Sequence, residues 1–218
     1  MARSTQVRLV VVAAGLLSIA ATNAVAAPAA SCRLVTDPIG DVKSPYIVET
    51  PSSALDIVSA DVATGRHALT VVVRVRKMQM TPPTAPRGHY YIFWFSVREE
   101  RFSIWAGRMW NGDVGTVYRE RASAQAPTAS GNLGTGLGYA DVRFDPTRSE
   151  AVAVVPLSLF DTAGGIPRHA RLYQIQVWAH DALGFTGPTG PTAITDDADR
   201  AITKKTYLAG AASCVRST

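Results

Sequence analysis

The chain has 218 residues, with 22 Lys or Arg against 17 Asp or Glu, and 47% of it is hydrophobic. That is enough for one domain with a core of its own. The net charge of +5 is thinly spread, and without clustered Lys and Arg it excludes a nucleic-acid footprint. Only four of the basic residues are lysine, a bias typical of GC-rich bacterial coding that says little about partners.

The first element is an export signal. Arg3 and Arg8 make a positive N-terminal region, residues 7–21 are almost wholly apolar, and Ala24-Val25-Ala26 supplies the small-x-small pattern that signal peptidase reads. Cleavage after Ala27 would leave Pro28 first, which the peptidase tolerates poorly, so the cut is placed after Ala26. The uncharged run from Leu9 falls short of the roughly 20 apolar residues that a membrane-spanning helix needs. Residues 1–26 are therefore expected to leave, taking two arginines and lowering the net charge to +3. Residues 27–218 are expected to be one secreted or cell-envelope domain, without a membrane span in its mature form. Cys32 and Cys214 lie near the two ends of that domain. In an oxidising compartment an even pair predicts a disulfide. Closing so long a loop stabilises a fold by several kcal/mol in the chain-entropy model.

Beyond the signal, period-2 alternation dominates and predicts strands. It is clearest over residues 68–76, 90–97, 101–106 and 172–179, with further strands expected at 55–63, 114–120, 138–144 and 150–155. Thr64-Gly65-Arg66-His67, Arg98-Glu99-Glu100-Arg101 and Asn111-Gly112-Asp113 read as turns. Residues 81–88, 122–136 and 184–200 read as longer loops, and residues 156–161 as a single helical turn. Eight to ten short strands without a sustained helical stripe predict an all-β antiparallel sandwich, jelly-roll or immunoglobulin-like, in a single domain.

Three stretches carry a family resemblance. Asp37-Pro38-Ile39-Gly40-Asp41 precedes the strand that begins Leu55-Asp56-Ile57. A later strand reads Glu150-Ala151-Val152-Ala153-Val154-Val155-Pro156-Leu157-Ser158-Leu159, and Asp196-Asp197-Ala198-Asp199 precedes Tyr207. Together they resemble the sandwich superfamily of family 9 carbohydrate-binding modules and DOMON-type sugar- and haem-binding domains. The likeness is strongest to small exported bacterial members of unassigned activity. It implies a sandwich fold and a binding role rather than catalysis.

Two sites follow. Asp37 and Asp41 flank a Pro-Ile-Gly turn that could fold both carboxylates around a calcium ion, the hard cation that takes several oxygen ligands. Asp56 or Asp61 is the expected third ligand, one of them only, because residues five apart on a straight strand face opposite sides. Structural calcium, which the resembled modules often hold, is thus the one cofactor expected. The second site is a carbohydrate platform. If Phe93 and Phe95 face the core, the opposite parity exposes Tyr90, Trp94, Trp105 and Trp178, with Gln174 and Gln176 beside them. Flat aromatics stack on sugar rings while amides bind hydroxyls. The sequence has neither a G-x-S-x-G elbow nor an H-E-x-x-H pair, and the glycine-rich run 131–138 lacks the Lys-Ser/Thr end of a phosphate loop. The expected function is a non-catalytic module that binds carbohydrate or a cell-envelope glycan; a structural or protein-interaction domain without small ligand is the second reading.

Overall fold

The structure is a computed structural model that describes residues 33–42, 52–79, 81, 83–84, 87–120, 134–185, 191–211 and 215. The export segment and both cysteines, and with them the expected disulfide, lie outside the described residues.

Two antiparallel sheets pack face to face, and the all-β sandwich expected from alternation is what forms. The first sheet has five strands: β1 (Val35–Thr36), β2 (Ile57–Thr64), β3 (Ala68–Val75), β8 (Asp141–Asp145) and β9 (Glu150–Pro156). Their order is β1-β2-β3-β9-β8. The second sheet holds β4 (Arg87–Val97), β5 (Glu100–Met109), β6 (Gly112–Glu120), β7 (Thr135–Tyr139), β10 (Arg171–Phe185) and β11 (Pro191–Ile202). Its order is β11-β10-β4-β5-β6-β7, and β12 (Tyr207–Leu208) pairs with the start of β10. A one-turn helix, Ser52–Leu55, precedes β2, and a 3-10 segment, Leu157–Ala163, follows β9. No helix of the described residues is long and apolar enough to cross a membrane.

The residue pattern explains the layers. Val71, Val73, Phe93, Phe95, Ile104 and Val177 all have the inward parity and fill the core between the sheets. The turn Thr64-Gly65-Arg66-His67 closes β2 onto β3, with the Gly65 N–H donating to the Ala68 carbonyl at 2.8 Å. Two expectations are corrected. The single strand read over 138–144 is two strands, β7 and β8, because the chain crosses there from one sheet to the other. It passes so close to Gly115 that a Cβ on that residue would sit 2.4 Å from the Ala140 carbonyl oxygen. The loop read over 184–200 is largely β11. Its Pro, Gly and Asp content reads as a breaker, yet its backbone pairs with β10 from Phe185↔Pro191 to Gln176↔Ile202 with two register shifts. The shifts absorb what the composition would otherwise interrupt.

Candidate functional site

A carboxylate cluster lies where one edge of each sheet meets the other. Asp37 leaves β1, the edge strand of the first sheet, and its N–H donates to the Val58 carbonyl at 3.2 Å. The Pro38-Ile39-Gly40 turn follows, and Gly40 takes φ +91°, a left-handed value that glycine adopts without steric cost. The Gly40 N–H donates to both Asp56 oxygens, at 3.1 and 2.9 Å. From the second sheet, Asp199 on the edge strand β11 turns inward and its Oδ2 accepts the Ile57 N–H at 2.6 Å. One oxygen each of Asp37, Asp41 and Asp199 then lies within 4.8 Å of the others.

Three carboxylates this close repel, and the site registers it. Burial first, then the charges of Asp199 and Asp41, push the Asp37 carboxyl up from 3.8 to about 7. Burial likewise raises Asp199, against the hydrogen bonds it accepts from the backbone. A divalent cation would take the place of the proton on Asp37 and meet carboxylate oxygens from two chain segments, the Asp37–Asp41 turn and β11.

The expected pair Asp37 and Asp41 is therefore brought together, but Asp56 does not join them as the third ligand. It is wholly buried, both its oxygens accept from Gly40, and the Arg76 guanidinium stands 3.8 Å away. Its carboxylate shapes the turn instead. Asp61 faces the other side of β2, where it accepts from the Leu34 N–H at 2.9 Å and pairs with Arg74 at 2.5 Å. The third carboxylate is Asp199, 142 residues from the backbone group it binds. The sequence signal was the Asp-rich stretch before Tyr207, and only the meeting of the two sheet edges gives it meaning.

The aromatic platform is corrected more deeply. Tyr90, Trp94, Trp105 and Trp178 do share one face, the outer face of the second sheet, as their parity predicts. They are not exposed: none is more than 1% accessible. They form a second apolar layer with Ile92, Met109, Tyr118 and Ala182. Tyr90 meets Trp105 edge-on at 5.6 Å, and Trp94 lies 5.5 Å from Trp178. Arg101 stands over Trp94 at 4.7 Å and Arg200 over Trp178 at 3.9 Å. Two of the indole N–H groups are used locally. Trp105 donates to Ser103 Oγ at 2.8 Å and Trp178 to Gln176 Oε1 at 3.2 Å. Gln174, exposed and at φ +51°, accepts from the Ser96 hydroxyl at 2.9 Å. Alternation reports which residues share a face; it does not report whether that face is covered.

Sequence reasoning passed over a row of ionisable residues across the inner face of the second sheet. Register places Asp181 on β10 opposite His89 on β4, His89 opposite Arg108 on β5, and Arg108 opposite Asp113 on β6. His89 is fully buried, its ring 5.3 Å from Tyr91 and 6.3 Å from Phe144. Burial, and then the nearby Arg108 charge, hold its imidazole down to about 3. The signal was available: His89 has the same parity as Tyr91, Phe93 and Phe95, and so belongs to the core face. No family model, curated protein or solved structure matches this chain.

Proposed function

We propose that the protein is a non-catalytic, extracytoplasmic binding module with a glycan as its ligand class and a calcium ion closing the edge between its sheets. The observation that carries this reading is the convergence of Asp37, Asp41 and Asp199 from both sheets onto one point. The sandwich itself supports a module that presents loops and ends from a rigid frame. Calcium should raise the thermal midpoint of the exported protein, and Asp199→Asn should remove that response. A midpoint indifferent to both calcium and chelator would sink the cation part. A glycan-array screen tests the ligand class, and an array without hits removes it.

The second reading, a structural or protein-interaction domain without small ligand, is favoured by the burial of the outer aromatic layer. Trp178→Ala separates the two roles of that layer. A packing role predicts a loss of about 3–5 kcal/mol of stability, with any glycan affinity of the folded variant unchanged.

A further inference from the structure

The end of the sandwich away from His89 is built from the β2–β3 turn, the β4–β5 turn, the 3-10 segment and the chain leading into β10. Two hollows open there on either side of Arg168. One, of about 550 Å³, is lined by Arg66, Leu157, Ile166, Arg168 and Ala209, among others. The other, of about 430 Å³, is lined by Arg98, Pro167, Arg168, His169, Arg171 and Tyr173, with two further residues. Among the described residues, every charged side chain in the two linings is basic; Glu99 and Asp161, on the same elements, line neither hollow. Arg66, Arg168 and Arg171 are exposed, and among the described residues none of them has an ion-pair partner. Arg98 is steadied by donating to the Gly164 carbonyl at 3.2 Å, and the Tyr173 hydroxyl donates to the Arg98 carbonyl.

Guanidinium groups without acids between them repel one another, and a ligand bearing carboxylates or phosphates relieves that repulsion while meeting their planar donors in pairs. Leu157, Ile166, Pro167 and the Tyr173 ring add apolar walls of the kind that accept the C–H face of a sugar. Three of the four described non-glycine residues with left-handed backbone gather here: Arg98 at +55°, His169 at +66° and Gln174 beside Tyr173 at +51°. Such conformations persist only where the surroundings hold them. An acidic peptide is the less fitting occupant. Peptides add to sheets along an open strand edge, and here Arg171 is already paired with Leu208 and Leu172 with Val97.

We propose that the two hollows flanking Arg168 together bind an anionic glycan, one acidic group meeting Arg66 and Arg168 and another meeting Arg98 and Arg171. This rests on the glycan reading above and places its ligand at the arginine end rather than on the aromatic face. Calorimetric titration of the exported protein with an oligogalacturonate, cellohexaose and oligoglutamate tests it. The oligogalacturonate should bind, and its affinity should fall steeply as NaCl rises from about 50 to about 200 mM. Arg168→Ser should weaken it by about tenfold or more, with the thermal midpoint unchanged. Should that variant fold poorly, Arg66→Gln and Arg171→Gln carry the same expectation. Equal, salt-insensitive binding of cellohexaose overturns the proposal and leaves the glycan reading standing. Oligoglutamate bound as tightly as the oligogalacturonate overturns it in favour of a peptide surface. Absence of oligogalacturonate binding, or binding indifferent to the arginine variants, overturns it outright.

Discussion

His89 and Asp37 act on stability in opposite directions across the pH scale. The imidazole titrates near 6.5 when exposed and near 3 when folded. The unfolded chain therefore binds the proton first, and His89 contributes stability above about pH 6.5 that is lost as pH falls toward 3. His89→Leu should flatten that acid limb, read as the urea midpoint against pH; an unchanged slope would show that His89 does not carry it. Asp37 runs the other way. Its folded carboxyl titrates near 7 against 3.8, so its contribution is full below pH 3.8 and lost as pH rises through 7. A bound cation should abolish that loss, so calcium should stabilise the protein more at pH 8 than at pH 5. At this scale the sequence was half legible. A turn residue such as Asp41 announces itself through its Pro-Gly neighbours, whereas Asp56 and Asp199 differ only in what the fold sets in front of them.

Among the elements, the crossing from β7 to β8 is the most exacting. The chain leaves one sheet and enters the other across Gly115, where the Ala140 N–H donates to the Gly115 carbonyl at 3.1 Å. Gly115→Ala would drive a methyl group against that backbone and Val142. Overpacking of this kind costs about 1–3 kcal/mol, so a denaturant midpoint lowered by that amount is expected, and an unshifted midpoint would mean that the crossing yields easily. Strands whose inward positions are Val, Phe and Ile were plain from alternation alone. β11 was not, because Pro, Thr and Asp weaken a strand locally and only the partner strand β10 restores it.

At the scale of the molecule, the second sheet carries buried apolar clusters on both faces, the inner one, apart from the ionisable row through His89 and Arg108, against the first sheet and the outer one within its own aromatic layer. Sandwich was readable because each face alternates cleanly. The covered outer face was not, because a sheet buried on one side and a sheet buried on both can carry aromatics at the same parity. That arrangement also decides what light can report. Of the four tryptophans, Trp94, Trp105 and Trp178 are within 1% of complete burial and only Trp110, in the β5–β6 turn, is open, at 44%. Acrylamide should quench Trp110 alone in the native protein and reach the other indoles only on unfolding. Because no tryptophan lines the hollows beside Arg168, a ligand seated there would leave the emission spectrum nearly untouched. The intrinsic dye of this molecule is a gauge of its folding and would stay dark to a ligand at that end.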